Sequence, residues 1–271
     1  MSKPKVLVFD IETSPIISYT WALFDQNIGL NQIVQDWNVL SWSAKWLESE
    51  DKTVVYGPHR KIMYEDLRTS RDVHNDKNLL KGIRKLLDEA DVVITQNGVA
   101  FDSKKLNARF LLNKIPKPSS YKHIDTLKIA KSVFKFTSNK LEYMTDKLCT
   151  KYKKITKRKY AGFELWKECL KGNLDAWKEM EVYNKHDVLS LEELYYKLIP
   201  WDTTSVNFNL YHDGIETVCK CGSRDYKRNG YAYTSTGKFT RYKCLSCGSE
   251  TRDRKNLLTK EKKEFLKVNS K

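Results

Sequence analysis

The chain has 271 residues, with 49 Lys and Arg against 34 Asp and Glu, and a formal net charge of +15 at pH 7. This charge, together with 15 Tyr, 10 Phe and 7 Trp, favours a nucleic-acid partner over a membrane surface. No apolar run approaches the ~18 residues of a membrane span, and no signal peptide precedes the first predicted strand, so we expect a cytoplasmic protein with no membrane partner.

The first predicted element is a short apolar strand that ends in two acidic residues. Val6 to Phe9 form a run of β-formers too short for a helix, which indicates a central buried strand. Asp10 and Glu12 follow, and because side chains two residues apart share one face of a strand, both carboxylates project together. Crowded carboxylates repel each other, and a divalent cation such as Mg²⁺ or Mn²⁺ relieves that repulsion. A solvated acidic strand end is the alternative interpretation.

Two further strands are predicted to form an antiparallel meander with the first. The residues over 38–46 alternate, and the set predicted to face the core is Leu40, Trp42, Ala44 and Trp46. A third strand is predicted over 53–56, and the short links favour antiparallel pairing. Before the second strand come three aromatic residues, for which packing beside the sheet is favoured over base stacking: Tyr19, Trp21 and Phe24.

Two strand–helix units follow the meander. A helix is predicted over 78–89 and a buried strand over 91–95, and Asp102 then begins the next helix. The apolar side of that helix is predicted to carry Leu106, Phe110 and Leu111. Asp102 is either a helix cap or a third carboxylate beside the first two. A short strand ending at Asp125 comes next, and Asp125 is predicted to cap a helix over about 126–134.

The remaining helices enclose a basic segment. Ser138 or Asn139 is predicted to cap a helix that carries Leu141, Met144 and Leu148, and one long helix is predicted over 175–198. Tyr183 and Asp187 lie four apart and therefore share one face of the long helix. Between the helices lies a run that is either a solvated face or a phosphate-contact loop: Lys151, Lys153, Lys154, Lys157, Arg158 and Lys159.

Three segments in this order resemble the motifs of the DEDD 3′–5′ exonuclease superfamily: FDIET, NGVAFD and YNKHD. The tyrosine four residues before the final aspartate resembles the DEDDy branch, whereas the other branch has a histidine five residues before it, where this chain has Val182. The motifs are similar to those of the proofreading domain of family B DNA polymerases, and residues 1–200 resemble stand-alone exonucleases often found in bacteriophages. The resemblance implies an α/β fold with an RNase H-like mixed sheet flanked by helices.

The resemblance also implies the residues of an active site. The predicted ligands of two Mg²⁺ or Mn²⁺ ions are Asp10, Glu12, Asp102 and Asp187. Tyr183 would orient the attacking water, because a phenol with a pKa of about 10 is a poor base near neutrality. Asn97 and Phe101 would shape a pocket for the terminal nucleotide, with packing as the alternative role of Phe101.

Near the C-terminus, four cysteines form two Cys–Gly knuckles: Cys219, Cys221, Cys244 and Cys247. Between the knuckles lie two short predicted strands, 231–233 and 239–243, which is typical of a zinc ribbon that holds one structural Zn²⁺. The segment resembles the zinc ribbons of insertion-element transposases. The first pair is C-x-C where C-x₂-C is usual, and His212 is a remote alternative ligand.

We therefore predict an exonuclease domain over 1–200, a linker over 201–216, a zinc ribbon over 217–256 and a basic tail over 257–271. The predicted function is metal-dependent 3′–5′ hydrolysis of nucleic acid from a single-stranded 3′ end, with DNA favoured, in a bacterial or phage-infected cell. A replication or repair protein is a candidate partner, and the ribbon would either bind nucleic acid or dock a protein. The alternatives are a non-catalytic nucleic-acid-binding protein on the same fold, and a structure-specific or RNA-directed nuclease.

Overall fold

The computed structural model describes residues 4–48, 61–153, 155, 158–203, 206–211, 219 and 221–268. Within these residues the strands are β1 (Val6–Thr13), β2 (Ile17–Ser18), β3 (Ile33–Gln35), β4 (Val39–Trp46), β5 (Met63–Asp66), β6 (Val92–Thr95), β7 (Lys122–Asp125), β8 (Tyr226–Thr234), β9 (Gly237–Cys244) and β10 (Glu250–Arg252). The helices are α1 (Lys77–Glu89), α2 (Asp102–Leu112), α3 (Thr126–Val133), α4 (Leu141–Leu148), α5 (Glu164–Leu170), α6 (Leu174–Leu198) and α7 (Lys260–Phe265), with short 3₁₀ helices at Leu30–Gln32 and Phe208–Tyr211.

One mixed sheet forms the centre of the molecule, with the strand order β5-β4-β1-β6-β7. β4 pairs antiparallel with β1 and β5, whereas β6 pairs parallel with β1 and β7. Helices flank this sheet, so the predicted α/β architecture and the antiparallel pairing of the first two strands are confirmed. The third strand predicted over 53–56 lies outside the described residues, and β5 takes the third place of the meander.

The central strand β1 separates two apolar cores, because its side chains alternate between the two faces of the sheet. Leu7 and Phe9 join the core that contains α1 and α2. Val6 and Val8 join the core that contains α3, α4 and the second half of α6. All four side chains are fully buried, which confirms the predicted central strand. The next even-numbered positions, 10 and 12, extend the face that α6 covers.

Leu40, Trp42, Ala44 and Trp46 lie together in one core, which confirms the predicted core-facing set, and the other four residues of β4 are buried as well. Trp42 packs on one side and donates its indole N–H to the carbonyl oxygen of Leu79 in α1, at 3.1 Å. On the other side Ser41 contacts α6, and the Lys45 ammonium lies 2.7 Å from a carboxylate oxygen of Glu192. The alternation remains, but a helix covers each face of the strand.

The predicted helices are present with small changes at their ends. Asp125 accepts a hydrogen bond from the backbone N–H of Leu127 and so caps α3 as predicted. The predicted caps Ser138 and Asn139 are wrong, since α4 begins after Lys140 without a side-chain cap. The prediction that Leu111 lies on the apolar side of α2 is wrong, because this residue is 81% exposed. None of the described helices combines the length and apolarity needed to cross a bilayer.

A two-stranded ribbon of β2 and β3 projects large apolar side chains into solvent. Tyr19, Trp21 and Phe24 are 76%, 94% and 81% exposed, so the prediction that they pack beside the sheet is wrong. The ribbon is tied across its base, where the backbone N–H of Tyr19 donates to the carbonyl oxygen of Gln32 at 3.0 Å. The loop between its strands therefore holds these rings away from both cores.

The C-terminal part contains a second sheet, with the antiparallel order β10-β9-β8. Three of its cysteines belong to the same buried cluster as the end of α6: Cys219, Cys221 and Cys244. Phe208, within the segment predicted as a linker, is also buried in that cluster. The predicted domain bounds stay a prediction, but the two parts share a core.

Candidate active site

Three carboxylates converge at the end of β1. One oxygen each of Asp10, Glu12 and Asp187 lies within 4.8 Å of the other two. Asp10 and Glu12 lie two residues apart on β1 and therefore share one face of the sheet. Helix α6 crosses that face and directs Asp187 toward them. All three residues are half-buried, so the cluster is neither sealed in the core nor fully exposed. These residues were predicted to lie together, and the fold brings them together.

Asp102 lies next to this group of three but outside it. The residue is the first of α2 and only 3% exposed, and its Oδ1 accepts a hydrogen bond from the backbone N–H of Ile11 at 3.2 Å. Its charge raises the pKa of Asp10 and of Glu12, so the four carboxylates act on one another. Asp102 does not cap α2, and its side chain packs against β1 instead.

Helix α6 supplies two further polar groups to the cluster. The phenol of Tyr183 hydrogen-bonds to Asp187, and burial together with the nearby carboxylates raises the tyrosine pKa, so the phenol stays protonated at neutral pH. Asn184 is fully buried and donates from Nδ2 to Oδ2 of Asp10 at 2.7 Å. Ser41 of β4 donates to Oδ1 of the same asparagine at 3.2 Å, which fixes its orientation.

Besides Asn184, two residues at the site were not predicted as members of it, Arg158 and Trp166. The Arg158 guanidinium lies over the ring of Tyr183, 4.9 Å from its centroid, and its charge lowers the pKa of both Glu12 and Asp187. Trp166 of α5 hydrogen-bonds to Glu12 and contacts the ring of Tyr183 edge-on, with 5.9 Å between centroids. Sequence reasoning places Arg158 only in a basic run and has no signal for Trp166.

The turn between β6 and α2 carries the predicted substrate-binding residues. Asn97 adopts a left-handed backbone conformation (φ 64°), and its N–H donates to Oδ1 of Asp125 at 2.9 Å. The next residue has to be glycine, because a Cβ at Gly98 would lie 2.2 Å from the side chain of Thr95. The side chains of Asn97 and Phe101 are both exposed, and their contact with a terminal nucleotide stays a prediction.

The electrostatics of the cluster favour a bound cation. Burial raises the pKa of Asp10, Glu12 and Asp187, the last to about 7. Repulsion within the cluster adds to this rise for Asp10 and Glu12. Three clustered carboxylates offer only oxygen ligands, which are the ligands that Mg²⁺ and Mn²⁺ prefer. The residues therefore fit a divalent metal centre.

The four C-terminal cysteines form a second candidate metal centre, and their sulfur atoms all lie within 4.8 Å of one another. Cys219 and Cys247 are 3.5 Å apart, and Cys221 and Cys244 are 3.7 Å apart. These separations exceed a disulfide bond and are close to the edge of about 3.8 Å expected for tetrahedral Zn–S₄ coordination. The C-x-C pair thus supplies both of its thiols, and His212 lies outside the described residues.

Comparison with known proteins gives one family. A family model described as RNase_H superfamily matches residues 44–199, a range that contains Asp102 and Asp187 and follows β1. A search of curated proteins found no match. Among solved structures, the family B DNA polymerase from the hyperthermophilic archaeon Pyrobaculum calidifontis is similar at 14% identity and a TM-score of 0.48, over 73% of this chain and 25% of that chain. The chain thus spans about a quarter of that polymerase, and a likeness this distant carries no functional argument.

Proposed function

This chain belongs to the RNase_H superfamily, and from that premise we propose that it is a metal-dependent 3′–5′ exonuclease of the DEDDy type. The observation that carries the proposal is the convergence of Asp10, Glu12 and Asp187 on one face of the central strand β1, with Asp102 beside them. Folding such a crowded anionic site without a cation is energetically costly. A cluster of carboxylates that can hold metal ions is also what metal-dependent phosphodiester hydrolysis requires. The fold and the carboxylate cluster together support a nuclease.

The carboxylates would hold two Mg²⁺ or Mn²⁺ ions, which when bound would activate water and stabilise negative charge on the phosphate. Tyr183 remains protonated and would hold the attacking water by a hydrogen bond. Asn184 fixes the rotamer of Asp10, and Trp166 does the same for Glu12. Arg158 stands over Tyr183 and would neutralise charge on the reacting phosphate.

The proposed substrate is a single-stranded 3′ end, with DNA favoured over RNA. The +15 charge of the chain supports a polyanionic substrate, and the carboxylates are only half-buried, which is consistent with access of a strand end. Arg158, Tyr183, His186 and Asp187 line a cleft beside the carboxylates. A bacteriophage origin and a replication or repair partner remain part of the proposal, and they rest on the resemblance of the motifs.

The cysteine cluster is proposed to hold one structural Zn²⁺ in a ribbon that binds nucleic acid. The geometry of the four sulfur atoms supports zinc, and each cysteine is free of disulfide bonds. Because these cysteines share a core with the end of α6, zinc would stabilise both parts of the chain.

The test is a cleavage assay with single- and double-stranded DNA and RNA, each labelled at the 3′ or the 5′ end, in Mg²⁺, Mn²⁺ or no divalent metal. We expect stepwise shortening of 5′-labelled single-stranded DNA, early loss of the 3′ label, and no reaction without metal. Asp187→Asn is the control variant and should be inactive. Internal cleavage would support a structure-specific nuclease instead. Protein that binds these substrates but cleaves none of them in either metal would support the non-catalytic alternative.

A further inference from the structure

One face of the C-terminal sheet carries two tyrosine rings in solvent. In the register of β8 and β9, Tyr231 lies opposite Thr240 and Tyr233 lies opposite Lys238. Residues two apart on a strand, and residues directly opposite on its partner, share a face of the sheet. Tyr231, Tyr233 and Lys238 therefore lie on one face, where the tyrosines are 37% and 70% exposed.

Positive charges alternate with these rings. The Lys238 ammonium lies 4.0 Å from the ring centroid of Tyr231 and 6.0 Å from that of Tyr233. On the other flank the Arg228 guanidinium lies 5.2 Å from the Tyr231 ring, and its Nη2 donates to the tyrosine hydroxyl at 2.9 Å. The cations hold the rings in place without burying them, which leaves most of the Tyr233 ring open.

We propose that this tyrosine face, formed by Arg228, Tyr231, Tyr233 and Lys238, binds single-stranded nucleic acid. The two rings are about 7 Å apart along the strand, which allows each to stack on one of two successive unpaired bases. The cations beside them would neutralise the adjoining phosphates. DNA and RNA share this chemistry, and a paired duplex does not, because its bases are stacked on each other.

The distribution of charge favours this face over the β2–β3 ribbon as a site for nucleic acid. The β2–β3 ribbon exposes Trp21 and Phe24 even more fully, but residues 6–44 contain no Lys or Arg. Phosphate contacts need cations close to the stacked bases, and the tyrosine face supplies them. This inference rests on the proposed function and extends it, because the single-stranded substrate would have a second contact with the protein outside the carboxylate cluster.

Binding is measured on full-length, zinc-loaded protein that carries Asp187→Asn, without added divalent metal, so that no cleavage intervenes. The probes are fluorescein-labelled twelve-nucleotide oligo(dT), oligo(U) and a duplex of the same length. Replacing Tyr231 and Tyr233 together by alanine should weaken binding of both single strands by at least about tenfold, and replacing both by phenylalanine should restore it. Duplex binding should change little.

A matched pair of lysine variants tests the phosphate contacts. Lys238 and Lys243 lie on the same strand but on opposite faces of the sheet. Lys238→Gln should reduce the slope of log affinity against log salt concentration by about one unit, and Lys243→Gln should reduce that slope less. Equal effects of the two variants on the salt dependence would indicate that the nucleic acid binds elsewhere on the protein.

A photocrosslink identifies the contact directly on protein with both tyrosines intact. Oligo(dT) with one 5-iodouracil should crosslink to Tyr231 or Tyr233, as identified by peptide mass spectrometry. Crosslinks found only outside the C-terminal sheet would overturn the inference, as would unchanged affinity in the alanine variant. These readouts do not involve hydrolysis, so the inference and the proposed exonuclease activity can fail separately. Loss of affinity for the duplex equal to that for the single strands would exclude stacking.

Discussion

Replacing Asp187 by asparagine is expected to stabilise the metal-free protein at pH 8 and to remove its response to Mg²⁺. Burial raises the pKa of Asp187 to about 7 in the folded state, whereas an unfolded aspartate titrates near ~3.9. A group with a raised folded pKa contributes stability below its unfolded pKa and loses it as the pH rises through the folded pKa. The folded protein therefore bears a cost at pH 8 that is absent near pH 4.

The size of this cost follows from the two pKa values. The difference corresponds to about 4 kcal/mol of lost stability once the carboxyl group is ionised in both states. Asp187 is only half-buried, so water screens part of this charge, and we take ~2 kcal/mol as the expected gain. Asparagine keeps an oxygen that can accept the hydrogen bond from Tyr183 while removing the charge.

The assay is urea denaturation in magnesium-free buffer between pH 5 and 8, followed by the same series with excess Mg²⁺. Asp175→Asn is the matched control, because Asp175 lies on the same helix with an exposed side chain paired to Lys159 and Lys178. The Asp175→Asn variant should be as stable as the wild type or slightly less stable, and Mg²⁺ should stabilise both proteins equally. An Asp187→Asn variant less stable than wild type at pH 8, or equally stabilised by Mg²⁺, would refute the reasoning.

Four further outcomes follow from contacts at the site and in the cores. Tyr183→Phe should retain measurable single-turnover cleavage, because it removes a hydrogen bond and leaves the carboxylates unchanged. Arg158→Ala should slow that cleavage by roughly 10²-fold, with partial recovery in Arg158→Lys. Arg109→Met should cost about 3–5 kcal/mol in urea denaturation, because its partner Asp76 is fully buried, 2.7 Å away, and would lose its only positive charge among the described ion pairs. Purified protein should contain about one zinc per chain by mass spectrometry, and Cys221→Ser should lose it.

Local periodicity was sufficient to predict the parts of the site that a single element carries. Asp10 and Glu12 share a face because they are two apart on β1, and Tyr183 and Asp187 share one because they are four apart on α6. Neither relation needs tertiary information. The convergence of the β1 carboxylates with Tyr183 and Asp187 was predicted only from the resemblance of the motifs, because this convergence depends on how α6 crosses the sheet.

The residues that sequence reasoning missed are set by tertiary packing. Trp166 lies on α5, a helix of 7 residues that is too short to show a clear apolar period. Arg158 reaches the carboxylates from a basic run in which nothing local distinguishes it from its neighbours. Asn184 did leave a signal, since it lies four residues from both Met180 and Val188, and a polar residue at that spacing on a buried face calls for a buried partner.

Helix α6 connects the carboxylate cluster with the cysteine cluster, and this determines how the C-terminal part acts on the rest. Asp187 is followed by Val188, which lies in the same buried cluster as Leu194, Leu198 and three of the cysteines. Removing the chain after Trp201 would expose that end of α6 to water, in addition to deleting a binding surface. The C-terminal sheet is therefore better probed by single substitutions such as those at Tyr233 and Lys238, which leave the shared core intact. Zinc bound at the cysteines would, by the same packing, help to hold α6 in the position from which Asp187 meets β1.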